Sequence, residues 1–170
     1  MRIRLEVFEN RCAKCGEVFH TLHQSPHDYG VAAFVSARGR VAVADPDSDP
    51  VWTEAAALLR SATDRPRNDH ETARCFPHLF DRTVDDVDGE RLYMWGKVPC
   101  PQCGSFEDAA SGPIEPPEFV DVEAEPVTHH RWARLSADEK RRQVDEAMKE
   151  CRAEIERLIA MSIAASRGRS

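Results

Sequence analysis

Aromatic residues, long apolar runs and catalytic signatures are all scarce in this sequence. No stretch approaches the ~18–20 apolar residues that a membrane-spanning helix needs, which excludes a helical membrane protein. Residues 1–10 (MRIRLEVFEN) alternate charged with apolar residues and form no signal-peptide core. Aromatics make up 7% of the chain, so much of its 41% apolar fraction is Ala and Val. At 170 residues such a core is modest, and chains of this kind are often stapled by something beyond burial. There is no G-x-S-x-G, P-loop, G-x-G-x-x-G or H-E-x-x-H. An enzyme reading therefore lacks a nucleophile with a partner.

Positive charge is in deficit as well. The net charge is −7, unevenly spread: residues 1–128 carry 13 Lys+Arg against 23 Asp+Glu, whereas residues 129–170 carry 10 against 7. An acidic body repels phosphate backbones at long range and disfavours nucleic acid as a partner. The expected setting is soluble and cytoplasmic. In a reducing compartment the six cysteines point to metal thiolates rather than disulfides.

Local patterning gives an α+β fold. Ile3, Leu5 and Val7 recur at period two, as in a half-buried strand. That strand runs into Cys12, and residues 17–22 can return as the second arm of a hairpin. Residues 31–35 and 40–44 form a second β unit around Gly39, which can adopt a positive φ in the turn. Asp49-Pro50 reads as an N-cap with proline at the first helical position, opening a short helix through residues 53–62. Residues 63–81, broken by Pro66 and Pro77, are expected to be irregular with one helical turn near 69–75. Residues 91–98 look like a further strand.

Residues 112–127 hold four prolines and five acidic residues and read as an extended linker. Beyond it, Ser136-Ala137-Asp138-Glu139 fits a capping box. Val144, Met148, Cys151, Ile155 and Leu158 then follow at helical spacing, predicting an amphipathic helix over 137–164. The expected organisation is a body at 1–110, a linker at 111–128, a helical segment at 129–165 and a frayed tail at 166–170. Trp132 is either a packing anchor or a binding hot spot.

The most specific signal is a repeated motif. Cys12-Ala13-Lys14-Cys15-Gly16 and Cys100-Pro101-Gln102-Cys103-Gly104 are two copies of C-x-x-C-G, each preceded by a strand-like segment. Two intervening residues let both sulfurs of a pair turn toward one ion, and the glycine can take the left-handed conformation that releases the chain from the turn. These residues resemble the zinc-ribbon and rubredoxin-like knuckle class, over about residues 1–20 and 91–106. They depart from it in that 84 residues lie between Cys15 and Cys100. The resemblance implies a small antiparallel β core with a long insertion, and one Zn²⁺ per chain bound by Cys12, Cys15, Cys100 and Cys103. With four protein ligands the metal has no open position and acts as a cross-link. Iron would instead imply electron transfer, and a thioredoxin-like role for Cys100/Cys103 would need a helix that the following prolines oppose.

Weaker constellations compete with this one. His20, His23 and His27, with Cys75 and His78, could furnish a second zinc site with an open position for catalysis. Neither acidic stretch fits an EF-hand loop: in 45–49 Pro50 stands at the sixth-position glycine and Ala56 at the twelfth, and aligning Gly89 of 85–90 puts Val84 first and Trp95 twelfth. The sequence thus predicts a non-catalytic scaffold or regulatory protein that binds a protein partner, or a second copy, through its C-terminal helix. A nucleic-acid-binding ribbon using Arg2, Arg4, Arg11 and Lys14 is the alternative, and a metal-dependent enzyme comes third.

Overall fold

The computed structural model describes residues 1–25, 30–62 and 68–167. Its elements, in chain order, are β1 (Arg2–Cys12), β2 (Val18–Gln24), β3 (Ala32–Val35), β4 (Val41–Ala44), α1 (Pro50–Ser61), α2 (Asp69–Phe80), β5 (Tyr93–Met94), β6 (Asp108–Pro113), β7 (Phe119–Glu123), β8 (Glu125–Pro126), α3 (His130–Ala133) and α4 (Ala137–Arg167). The α+β chain divides into two units, residues 1–50 with 84–131 and residues 51–83 with 132–170.

In the first unit, the alternation of Ile3, Leu5 and Val7 makes β1 the central strand of an antiparallel sheet. One edge of β1 pairs with β2, from Leu5 opposite Gln24 to Arg11 opposite Val18. The other edge pairs with β7 and then β6. Leu5 and Val7 are buried, but past Phe8 the parity of burial changes: Asn10 and Cys12 are buried while Glu9 and Arg11 face solvent. A polar chain accompanies the change, with Asn10 Nδ2 donating to Thr21 Oγ1 over 2.7 Å and that hydroxyl 3.0 Å from His23 Nε2. The ladder to β6 shifts register between Arg11 and Cys12, and such bulges re-aim side chains at the end of a strand.

A second sheet runs in the order β5-β3-β4-β8. The expected hairpin is present as β3 and β4, with Gly39 at φ +83° in the turn. The strand expected over 91–98 is confined to Tyr93–Met94, because Trp95 and Gly96 adopt φ of +58° and +73° and turn the chain. Gly96 is required there: a Cβ would lie 2.4 Å from the Leu22 carbonyl oxygen and 2.9 Å from the His23 ring.

The acidic stretch 112–127 is extended but not solitary. Val120 and Val122 are half-buried between exposed Phe119, Asp121 and Glu123, and they lie opposite Leu5 and Ile3 of β1. A five-residue alternation inside a proline-rich composition was enough to complete the sheet, since β1 offered an open edge.

In the second unit, α2 lies against α4. Buried Cys75, Phe76, Leu79 and Phe80 form one stripe of α2, answered on α4 by Val144, Ala147, Met148 and Cys151. The helical turn expected near 69–75 is therefore a full helix. Asn68 caps it, accepting from the Glu71 amide at 2.9 Å, and it continues through Pro77. An interior proline costs about 3 kcal/mol, and burial of this apolar stripe together with a covalent tie offsets it. The tie is a disulfide between Cys75 and Cys151. This corrects the expectation that all six cysteines avoid disulfides.

The start of α4 follows its sequence signature. Ser136 N–H and Oγ both donate to Glu139 Oε2 at 2.7 Å. The helix runs to Arg167, while residues 168–170 lie outside the described residues. Trp132 is a packing anchor: it is 1% exposed, its indole N–H donates to Glu54 Oε2 at 2.8 Å, and Lys140 Nζ sits 5.1 Å from its ring centroid while bonding Glu54 Oε1.

Candidate metal centre

The two C-x-x-C-G turns fold alike. In the first, the Gly16 amide donates to Cys12 O at 3.0 Å and the Cys12 amide to Glu17 O at 2.9 Å. In the second, the Gly104 amide donates to Cys100 O and the Cys100 amide to Ser105 O, both at 2.8 Å. Gly16 and Gly104 both take a positive φ, +76° and +70°, so in each motif the glycine returns the chain from the turn as the spacing requires. A further bond, Ala13 amide to Glu107 O at 2.7 Å, holds the first turn against the chain following the second.

This geometry brings four sulfurs together. Cys12 Sγ lies 3.6 Å from Cys103 Sγ, and Cys15 Sγ lies 3.6 Å from Cys100 Sγ. All four lie within 4.8 Å of one another. A tetrahedron of ~2.3 Å metal–sulfur bonds has edges of about 3.8 Å, so the four cysteines are positioned to bind a metal ion. Cys12 and Cys100 are buried in a cluster with Leu5, Phe19, Val35 and Val98, whereas Cys103 is half-buried and Cys15 exposed.

The thiols titrate unequally. The Cys15 and Lys14 backbone amides, with neighbouring thiols, bring Cys12 down to about 7 against desolvation. For Cys15 the Glu17 amide acts in the same sense, but desolvation and the surrounding Cys103, Cys100 and Cys12 sulfurs outweigh it and push the thiol up to about 12. Several thiolates at this spacing repel one another, and a divalent cation among them relieves that repulsion.

Among the described residues no other group of three or more His, Cys, Asp or Glu side chains is disposed to hold a metal. The second constellation does not assemble. His20 is an exposed side chain 4.0 Å from Glu9. His23 stacks on Phe8 with ring centroids 4.0 Å apart, and burial lowers its pKa. Cys75 is consumed by the disulfide, and His78 Nε2 lies 3.0 Å from Glu154. His27 lies outside the described residues. The pairing that sequence reasoning missed had a signal: removing the four knuckle cysteines leaves two, and Cys151 lies on the apolar stripe of the C-terminal helix.

The proposed basic face is also interrupted. The register sets Arg2 opposite Glu123 and Arg4 opposite Asp121, with Arg2 bonded to Asp121 at 3.0 Å and Arg4 over the Phe119 ring at 4.8 Å. No helix among the described residues is long and apolar enough to cross a membrane.

Fold and site together define an α+β protein with a four-cysteine cluster suited to a metal and compatible with a zinc-ribbon-like site. No protein family, curated protein or solved structure matches the chain.

Proposed function

We propose that this chain is a non-catalytic zinc-binding scaffold or regulatory protein of the cytoplasm, in which Cys12, Cys15, Cys100 and Cys103 bind one structural Zn²⁺. The observation that carries the reading is the convergence of two like knuckles, 84 residues apart in sequence, on one set of four sulfurs. Four thiolates fill a tetrahedral shell and leave no position for substrate, so the ion ties chain to chain and does no chemistry of its own. A buried disulfide, with Cys75 and Cys151 at 0% and 1% exposure, is shielded from soluble reductants.

Binding falls to surfaces outside the metal. The apolar stripe of α4 is buried through Val144, Met148 and Cys151, but Leu158, Ile159 and Ile163 farther along are exposed. That distal face is the docking surface this reading assigns to a protein partner. Native mass spectrometry with and without a chelator tests the metal assignment. One zinc per chain, lost on chelation together with the folded charge-state distribution, is the expected result. Iron, or no bound metal, overturns it.

A further inference from the structure

The apolar stripes of α2 and α4 do not end together. One turn before Cys75, α2 offers Glu71 and Thr72, whereas α4 continues its stripe past Cys151 through Ile155, Leu158 and Ile159. Ile155 is half-buried, and Leu158 and Ile159 are 40% and 55% exposed. Between the two segments lies a groove of about 580 Å³, with these three side chains on its α4 wall and His70 and Arg74 on its α2 wall. That volume falls within the ~300–1,000 Å³ of small-molecule sites. The groove lies wholly in the second unit and shares no residue with the metal centre.

Charge on the α2 wall is left over. Glu71 stands three residues before Arg74, where a helix ordinarily supplies a pairing partner, but its Oε1 accepts from Arg152 Nε at 3.0 Å. Arg74 instead donates from Nε to His70 Nε2 at 3.2 Å. That contact engages one N–H of the guanidinium fork, and its terminal nitrogens bond to no other group among the described residues. Arg2, Arg40, Arg82 and Arg152, by contrast, each meet a carboxylate within 3.0 Å. The other acid of the lining, Glu156, is exposed and makes no ion pair among the described residues.

We propose that this groove binds an amphiphilic monocarboxylate of medium chain length, with the head group on Arg74 and the alkyl chain along Ile155, Leu158 and Ile159. A cationic wall facing an apolar one calls for a ligand divided in the same way. The guanidinium fork fits the two oxygens of a carboxylate, and the alkyl chain takes the exposed leucine and isoleucine out of water. A bare anion leaves the apolar wall wet, and an uncharged chain leaves Arg74 without a partner. The site overlaps the docking face assigned above at Leu158 and Ile159, so a bound ligand and a docked partner exclude one another there. It depends on neither the metal nor the partner for its own chemistry.

Isothermal titration calorimetry of the full chain with decanoate tests the site. One saturable site per chain with a Kd below ~1 mM is expected. Hexanoate should bind roughly tenfold more weakly, because its shorter chain covers less of the apolar wall. Decyltrimethylammonium, the same chain length under a positive head, should also bind roughly tenfold more weakly, although a net charge of −7 attracts cations at long range. Arg74→Gln should weaken decanoate binding roughly tenfold. Glu156→Gln removes the like charge from the lining and should tighten it about twofold, a gain that a misfolded variant cannot give. Absence of saturable binding, a preference for the cation, an Arg74→Gln protein of wild-type affinity or a Glu156→Gln protein no tighter than the wild type overturns the proposal.

Discussion

The sulfur of Cys12 lies 3.6 Å from the sulfur of Cys103, 91 positions away in the chain. Nothing covalent holds this approach, and it brings together four groups that repel when ionised. The first unit closes here through Cys12 at the end of β1 and Cys100 in the buried cluster.

Cys100→Ser should therefore abolish metal binding and unfold the first unit, since metal coupling contributes on the order of 10 kcal/mol in small zinc modules. Metal content and a calorimetric melt read this directly. An unchanged melting temperature at full loss of metal would falsify the cross-link.

The Cys75–Cys151 disulfide closes a loop with a sequence separation of 76. Chain-entropy arguments assign such a loop ~4 kcal/mol. The Cys75→Ala/Cys151→Ala double variant should lose stability of that order in urea unfolding, with its metal content unchanged.

Gly96→Ala meets two obstacles at once: a Cβ at a φ of +73° and a Leu22 carbonyl oxygen 2.4 Å from it. A loss of roughly 2 kcal/mol or more is expected from the backbone conformation and the overpacking. An urea midpoint equal to that of the wild type would show that the turn relaxes freely.

His23 makes stability depend on pH. Burial lowers its pKa below the ordinary 6.5, so below that value the unfolded chain takes up a proton that the folded chain resists. Stability is thus full above about 6.5 and falls as pH drops toward the folded-state pKa. His23→Phe keeps a ring against Phe8 and removes the proton, so its urea midpoint should fall less than the wild type's between pH 7 and 5. Parallel midpoints for the two proteins would rule the imidazole out as the source.

The knuckles, the β1/β2 and β3/β4 hairpins and the Ser136–Glu139 capping box were legible in the sequence because each depends on residues within a few positions of one another. The period of Ile3, Leu5 and Val7, the spacing of Cys12 and Cys15 and the glycines after each pair act through local backbone geometry. Helix α2 was harder to read, since Pro77 opposes it locally and only burial against α4 and the disulfide overrule that preference.

By itself the sequence determined which short segments turn, extend or coil, and that two cysteine pairs were shaped to share an ion. Only the tertiary structure decided that Cys75 meets Cys151 and that Val120 and Val122 complete the edge of β1 within an acidic, proline-rich stretch. Those outcomes are pairings between distant segments. Their free energy arises from surfaces that exist only once both partners have folded, so no local pattern in either segment encodes them.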